Sequence, residues 1–287
     1  MTLLSLLLAL LIERVTAKTD QWRAQYHIGK YVEWVKGKGW LKGSTDTAHL
    51  LAIVLVPTLL VFWIADWLGN GIIGLLFNTV ILYLCIGCPR LRATYKCFLQ
   101  AANRGDVMAC ELHSEALGHN ADSGYCGSFG QHLVWLNYTH YAAVIIAFML
   151  LGSAGAVLYV LSYALYHYVH TEWGTEDDQP AVVKASVSIS HWVDFIPVRI
   201  TALGFLLVGH FGRAMPIWFE HLFDGSVTAK RLLCEVSTAA EDVEAKPPTP
   251  DDPESIISEP KILVKLAKRN ITFLVSVVSV LTVFGAL

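Results

Sequence analysis

The stretch AHLLAIVLVPTLLVFWIADWL, residues 48–68, decides the fold class of this chain. It is almost entirely apolar, and about 20 such residues form a helix long enough to cross the ~30 Å hydrocarbon core of a bilayer. Trp63 and Trp67 lie near its end, where tryptophan commonly marks the membrane–water interface. Pro57 lies inside the stretch, a position that membrane helices tolerate. The stretch therefore predicts a transmembrane helix.

The composition of the whole chain favours the same class. Of its 287 residues, 54% are hydrophobic and 16% are charged, whereas a soluble domain has about 25% charged residues. The net charge of -3 provides no positive field that would attract nucleic acid. The six cysteines are irregularly spaced, so we expect reduced thiols and no disulfide scaffold.

Four further apolar stretches predict additional crossings. They cover residues 72–87, 141–163, 190–211 and 271–287. We therefore expect one all-α polytopic membrane domain over residues 1–287, with four to five transmembrane helices and amphipathic cytoplasmic helices. The apolar run at residues 2–12 is too short to span the bilayer, and it predicts an interfacial or re-entrant helix.

Lysine and arginine predict the orientation, because both are enriched in cytoplasmic loops. Residues 18–42 are basic, as is the start of the polar helical region 88–138, so we expect both regions in the cytoplasm. The acidic segment 170–180 lacks both residue types and is expected outside, as is the C-terminus. Residues 213–269 are expected inside. Within them, residues 237–260 hold seven acidic residues and five prolines, which predicts a disordered acidic linker.

The segment HWVDFIPVRITALGFLLVG, residues 191–209, carries Asp194, Pro197 and Arg199 inside an apolar run. In one interpretation Asp194 caps the start of the helix and Arg199 extends to the interface. In the other, the helix breaks at Pro197 and both charged side chains line a polar site. On an unbroken helix the two residues would point roughly 140° apart. The residues alone leave both interpretations open.

Cysteine and histidine offer two weak metal patterns. Cys85 and Cys88 are spaced like half of a zinc site, but the chain has no second pair at a standard distance. A second set has spacing that fits no common zinc finger and comprises Cys110, His113, His119 and Cys126. We therefore expect neither a metal nor a cofactor.

The chain resembles the AmpE family of bacterial membrane proteins in four stretches. They are LLALLIER at 7–14, LVWLNYTHYAA at 133–143, HWVDFIPVRITALGFLLVGHF at 191–211 and LTVFGAL at 281–287. The resemblance implies a multi-pass protein of the bacterial inner membrane. It also implies a regulatory or sensory role in β-lactamase induction and cell-wall (muropeptide) recycling.

The AmpE family is in turn similar to the CbiB/CobD membrane enzymes of cobalamin assembly, which form an amide bond. That similarity covers Glu13, Asn137 and the D-x-x-P-x-R pattern from Asp194 to Arg199. Leu136 and His140 stand where those enzymes have a glutamate and an aspartate. The resemblance therefore implies retained binding more than retained catalysis, and the chain is not expected to be an enzyme of the cobalamin type.

From the resemblance and the buried charges together, we expect a polar site in the membrane domain. Its predicted residues are Glu13, Arg14, Asn137, His140, Asp194 and Arg199. The expected partners are the lipid bilayer and a small charged ligand, such as a cell-wall fragment, and an oligomer is compatible with the sequence. Two alternative functions stay open, namely a membrane enzyme with CbiB-like amide-forming chemistry on a non-corrin substrate and a carrier of a cell-wall metabolite.

Overall fold

The computed structural model of the chain describes residues 2–16, 18–69, 71–119, 127–174, 180–241, 243 and 253–285. Within these residues every element is a helix, and no β-strand is present. The α-helices are α1 (Thr2–Val15), α2 (Ala24–Gly37), α3 (Thr47–Leu68), α4 (Ile72–Cys85), α5 (Pro89–Asn103), α6 (Val107–Ala116), α7 (Phe129–Asn137), α8 (Ala143–Trp173), α9 (Ala181–Val208), α10 (Phe211–His221), α11 (Ala229–Glu241) and α12 (Pro253–Val283). A 3₁₀ turn covers Asp20–Trp22, and a π-helical turn covers Tyr138–Ala142.

The described part of the chain contains four helical segments that are long and apolar enough to cross a bilayer. They are Thr47–Leu68, Phe129–Trp173, Ala181–Val208 and Ile257–Val283. The pair α4 and α5, bent by 45°, makes a fifth if it is one broken span. The predicted all-α polytopic fold with four to five crossings is therefore confirmed.

Helix α9 begins earlier than the hydropathy of the sequence indicates. The stretch predicted at 190–211 belongs to α9, which begins at Ala181. Pro180 comes directly before it, and its carbonyl accepts the Val183 N–H at 3.0 Å. Proline is favoured at helix starts because its fixed φ suits the first turn. These first turns mix apolar residues with Lys184 and three serines, so hydropathy alone did not assign them to the predicted span.

The chain packs into two compact units. The first comprises residues 1–87, 143–197 and 277–287, and the second comprises residues 88–142 and 198–276. The core of the first unit joins α2, α3, α8 and the start of α9 through buried aliphatic side chains, among them Val35, Leu50, Val54, Leu161, Leu165, Val169 and Val183.

Helix α1 lies beside α4 in the first unit. Its 14 residues extend about 21 Å, less than the ~30 Å of a bilayer core. The Ser5 hydroxyl lies 3.5 Å from the Leu75 carbonyl, and the Thr16 hydroxyl lies 2.9 Å from the Tyr83 hydroxyl. These contacts show that α1 and α4 run parallel.

The third predicted crossing, residues 141–163, is not straight. Gly152 inside α8 has φ 62° and ψ −150°, a conformation available essentially only to glycine. A Cβ added at Gly155 would lie 2.0 Å from the Ala147 carbonyl oxygen, although a straight helix would separate these residues by about 12 Å along its axis. The chain therefore turns sharply at Gly152, inside the stretch that the sequence predicts as the third crossing.

The described part of the acidic segment 170–180 lies against the basic N-terminal region. Lys36 Nζ is 2.5 Å from Glu172 Oε1, and the Val182 N–H donates to the Gly43 carbonyl at 3.2 Å. Groups in direct contact share one side of the membrane, so the predicted placement on opposite sides is wrong. The charge count separated the two segments, whereas in the folded chain their opposite charges pair.

In the second unit, α5 and α6 pack around Phe98 and Cys110, and the rings of Phe98 and Phe129 have centroids 4.6 Å apart. The predicted disordered linker, 237–260, is too wide at both ends. Residues 237–241 belong to α11, and residues 253–260 belong to α12. Residues 242 and 244–252 lie outside the described part.

The cysteines are not all reduced. Cys85, Cys88, Cys97 and Cys110 are free thiols, but Cys234 on α11 is disulfide-bonded. The prediction of reduced thiols is therefore wrong at Cys234, because irregular spacing along the chain carries no information on which thiols meet in space.

Candidate functional site

Asp194 lies in the interior of a continuous helix. Helix α9 begins at Ala181 and is helical through Asp194 and Pro197 to Val208. Asp194 therefore does not cap the start of the helix, and the helix does not break at Pro197. Both predicted interpretations are wrong in this respect, because residues 181–190 belong to the helix instead of preceding it.

Asp194 is 5% exposed, and its helix is a candidate membrane span. The Ser190 hydroxyl, one turn earlier on α9, donates to Asp194 Oδ2 at 3.4 Å. The Tyr166 phenol of α8 lies within Coulombic range of the same carboxylate. A carboxylate at membrane depth costs at least ~2.5 kcal/mol to insert. The first unit thus buries an acid within a candidate span.

Arg199 makes a different kind of contact, within the second unit. Its Nε donates to the Leu222 carbonyl at 2.5 Å, and its Nη2 donates to the carbonyls of His221 and Asp224 at 3.2 and 2.7 Å. These carbonyls lie at and just beyond the end of α10. The last carbonyls of a helix lack partners within the helix, so the planar guanidinium supplies several donors at once.

Two neighbours hold this arrangement in place. The indole N–H of Trp218 donates to the Arg199 carbonyl at 3.1 Å. Asp224 accepts from the Ser226 N–H and hydroxyl at 2.8 and 2.7 Å. These hydrogen bonds from Ser226, with smaller contributions from His221 and Arg199, hold the pKa of Asp224 below its usual range.

Glu13 and Arg14 occupy the last turns of α1 and differ in burial. Glu13 is 4% exposed, whereas the next side chain, Arg14, is exposed. Successive residues on a helix point about 100° apart, so they face different surroundings. The buried acid fits the predicted site better than its neighbour does.

Asn137 and His140 flank the junction of two helices in the second unit. Asn137 is the last residue of α7, and His140 lies in the π-helical turn Tyr138–Ala142. Both side chains are partly buried. Single π-helical turns inside α-helices occur frequently at functional sites, and hydropathy does not reveal them.

The six predicted residues are thus divided between the units. Glu13, Arg14 and Asp194 belong to the first unit, and Asn137, His140 and Arg199 belong to the second. Their convergence on one ligand stays a prediction.

Sequence reasoning missed a second buried cation, Lys18. It is 6% exposed and donates to the carbonyls of Tyr83 and Ile86, the latter at 2.5 Å. Its Nζ also lies 4.4 Å from the centroid of the Tyr83 ring. Basic side chains favour helix C-termini, where carbonyls are unsatisfied. The preference for this position is known, but the sequence does not show that Lys18 meets the end of α4.

A buried amide was also missed. Asn270 is 1% exposed, and its Nδ2 lies 3.4 Å from the Thr201 carbonyl. A Cβ added at Gly204 would lie 2.0 Å from Asn270 Oδ1, so glycine permits α9 and α12 to approach closely. Asparagine between membrane helices commonly bonds one helix to the next.

The second metal pattern does not assemble in the described part of the chain, where no group of three or more histidine, cysteine or acidic residues could hold a metal ion. Cys126 lies outside the described residues. His119 packs against the rings of Phe129 and His132, with centroids 5.6 and 5.7 Å away. Burial, and then Lys230, lowers the pKa of His119.

Known proteins resemble the chain over its full length. A family model described as "Regulatory signalling modulator protein AmpE" matches residues 1–287. Protein AmpE of Shigella flexneri is 28% identical over 312 residues, covering 100% of both chains.

Two cobalamin biosynthesis proteins named CobD are more distant. That of Chromobacterium violaceum is 23% identical and covers 74% of this chain and 70% of its own. That of Stutzerimonas stutzeri is 26% identical and covers 63% of this chain and 59% of its own. No solved structure matches the chain.

Proposed function

This chain belongs to the AmpE family, and from that premise we propose that it modulates β-lactamase induction from the bacterial inner membrane by binding a small charged ligand. The ligand would be a fragment released during cell-wall (muropeptide) recycling. The binding site would be the polar site predicted around Asp194 and Glu13.

The single observation that carries this proposal is the burial of Asp194. A carboxylate inside a candidate span is expensive, and such residues face cavities, partners or ligands far more often than lipid. Ser190 and Tyr166 place a hydroxyl donor and a phenol near the carboxylate. An acid held in this way suits a ligand that presents an ammonium group or hydrogen-bond donors, as a peptide-bearing cell-wall fragment does.

Arg199 supports the proposal in a structural role. Its guanidinium donates to the carbonyls after α10, and we assign it to fixing α9 and α10 together. Asp194, which lies five residues earlier on the same helix, is the residue that we expect to meet the ligand.

The test compares Asp194→Asn with Asp66→Asn, a matched change at an exposed acid near the end of α3. Each variant replaces the natural protein in a strain with inducible β-lactamase. We expect Asp194→Asn to reduce induction about tenfold, because a ligand bond to a buried charge is worth roughly 1.4 kcal/mol or more. Asp66→Asn should behave as the natural protein does.

Stability separates loss of signalling from loss of fold. Both variants should melt within a few degrees of the natural protein in detergent, because asparagine preserves the shape of the side chain. Normal induction by a folded Asp194→Asn protein would contradict the proposed site.

The similarity to CobD supports one alternative, a membrane enzyme with amide-forming chemistry on a non-corrin substrate. Leu136 and His140 replace the acids implied for that chemistry, and the Leu136 carbonyl lies 3.2 Å from the Thr139 hydroxyl inside the π-helical turn. Growth of a strain without CobD under conditions that require corrinoid assembly tests the family reaction itself. We expect no growth from this chain.

A further inference from the structure

Helix α2 carries a regular row of aromatic and basic side chains on its exposed side. The row consists of Tyr26, Lys30, Trp34 and Lys38, which follow one another at intervals of four residues and are all exposed. Residues four apart on a helix lie one above the other. Lys30 Nζ is 4.4 Å from the centroid of the Tyr26 ring, and Lys38 Nζ is 6.0 Å from that of a Trp34 ring. We call these four residues the outer face of α2.

The opposite side of α2 belongs to the core of the first unit. Val32 and Val35 are buried there, in one cluster with Leu50 and Val54 of α3. Because this packing fixes the rotation of α2 about its axis, the outer face points away from the protein.

A hydrogen bond sets the level of α2 along α3. The Tyr31 hydroxyl donates to the Ile53 carbonyl at 2.9 Å. This carbonyl lacks its usual helical partner, because Pro57, four residues later, has no N–H. The 22 residues of α3 extend about 33 Å, close to the ~30 Å of a bilayer core, so Thr47 at its start lies near one surface. Ile53 lies ~9 Å further along, and α2 therefore lies beside the first turns of α3, where that helix enters the membrane.

The lysines of the outer face carry charges that the described part of the chain does not pair. Lys36, on another side of α2, forms an ion pair with Glu172. Within the described residues neither Lys30 nor Lys38 has an acid as a partner. The aromatic rings beneath them attract a cation without cancelling its charge. Glu33 is the only acid in the sequence of α2, so the exposed side of the helix is net positive.

The aromatic surface continues beyond the end of α2. The rings of Trp34 and Trp40 meet edge to face with centroids 5.7 Å apart, and the two residues are 52% and 59% exposed. Leaving such large apolar rings in water is unfavourable. Tryptophan and tyrosine instead favour the headgroup level of a membrane, where the ring is buried and its polar group stays hydrated.

We propose that α2 lies in the membrane surface and that its outer face binds anionic phospholipids. The rings of Tyr26 and Trp34 would lie at the headgroup level, and the ammonium groups of Lys30 and Lys38 would meet lipid phosphates. Helices with basic and aromatic side chains bind anionic membranes in this orientation. The outer face is a surface of the first unit alone, and its role does not depend on the ligand proposed for Asp194.

The depth of the outer face is measured with a nitroxide label on Gly37→Cys. The full chain is reconstituted in vesicles of phosphatidylglycerol and phosphatidylcholine, and Cys97, an exposed free thiol, is first replaced by serine. Gly37 follows Trp34 by three residues, and a Cβ added there meets no atom within 4 Å. The label therefore leaves the outer face intact. Its collisions with oxygen and with a water-soluble nickel complex report its depth in the membrane.

Two matched labels supply the limits of this scale. Val56→Cys is exposed near the middle of α3 and reports acyl chains, whereas Met108→Cys is exposed on α6, outside the candidate spans, and reports water. We expect the ratio of oxygen to nickel collisions at Gly37→Cys to lie between the two. A ratio equal to that of either reference would overturn the proposal. Protection from both reagents would also overturn it, because protein or a second copy would then cover the face.

The preference for anionic lipid is tested by native mass spectrometry of the full chain, released from nanodiscs with equal amounts of the same two lipids. We expect the natural protein to retain phosphatidylglycerol in excess. Lys30→Gln combined with Lys38→Gln should lower this excess at least about fivefold, the attraction of one lysine for an anionic surface. Lys30→Arg combined with Lys38→Arg keeps both charges and should keep the excess. An unchanged excess in the glutamine pair would contradict the proposal.

Discussion

In each unit of the molecule a buried cation binds the carbonyls at the end of a helix, but the two cations differ in chemistry. In the first unit Lys18 binds two carbonyls at the end of α4. In the second unit Arg199 binds three carbonyls at the end of α10. A lysine is a compact charge on a flexible stem, whereas the arginine fork is planar and offers five donors.

The comparison between Arg199 and Lys18 shows how far a sequence pattern predicts the role of a charged residue. Arg199 belongs to a pattern that drew attention to a ligand site, and its partners include three backbone carbonyls. Lys18 belongs to no pattern, and it lies beside a groove. A buried cation can therefore bind the carbonyls at the end of a helix whether or not it belongs to a sequence pattern.

The largest effect is expected from Arg199→Met. The change leaves three carbonyls without this donor, and at about 1 kcal/mol for each hydrogen bond the loss is about 3 kcal/mol. Unfolding of the purified protein by titration with sodium dodecyl sulfate measures it. Arg199→Lys keeps the charge but not the fork, and it should recover less than half of the loss. Full recovery by lysine would show that the two cations are equivalent.

A smaller effect is expected from Lys18→Met. Two carbonyls lose a donor instead of three, so the same titration should show a loss of about 2 kcal/mol. Lys18→Arg should not restore the stability, because a wider group must fit a site with 6% exposure. A larger loss of stability than that of Arg199→Met would show that the contacts of Lys18 contribute more than those of Arg199.

Neutral hydrogen bonds beside each cation should contribute less. Trp218→Phe removes the donor to the Arg199 carbonyl, and Thr16→Val removes the partner of the Tyr83 hydroxyl. We expect a loss of about 1 kcal/mol for each, the usual contribution of one hydrogen bond. If Trp218→Phe combined with Arg199→Met costs as much as the sum of the two changes, the indole does not help to hold the guanidinium.

The smallest expected effect is a loss of stability at acidic pH. Ser226 depresses the pKa of Asp224 in the folded state. A depressed carboxyl pKa adds stability above the unfolded pKa, near 3.9 for aspartate, and that stability is lost as the pH falls through the folded value. The melting temperature should therefore fall slightly below about pH 4, and Asp224→Asn should flatten this dependence. If the melting temperature of Asp224→Asn depends on pH as that of the natural protein does, Asp224 is not the cause of the dependence.

The parts of the fold that could be predicted follow from composition and local pattern. The helix at Thr47–Leu68 matches the stretch predicted at 48–68, because twenty apolar residues with interfacial tryptophans have few other solutions. The turn at Gly152 could not be predicted, because the small residues of LGSAGA are equally compatible with a straight helix that packs closely against its neighbours. The contact between Lys36 and Glu172 depends on that path and was missed with it.

The features of the candidate site also fall into those that the sequence predicts and those that depend on the folded path of the chain. The burial of Asp194 and Glu13 could be predicted, because charged residues in apolar runs stand out in the sequence. The carbonyl partners of Arg199 could not, since every residue offers a carbonyl and only the folded path selects three of them. The π-helical turn at His140 also has no hydropathy signature, because it changes the winding of the helix and not its composition.

The turn at Gly152 affects how the chain enters the bilayer during synthesis. The segment Phe129–Trp173 is apolar enough to be recognised as one unit by an insertion machinery that senses hydrophobicity. Its 45 residues exceed what one passage requires by about twofold, and no charged loop marks where the two arms part. We therefore expect the division to fall at Gly152, whose backbone conformation other residues rarely adopt, so a residue without a side chain would guide insertion.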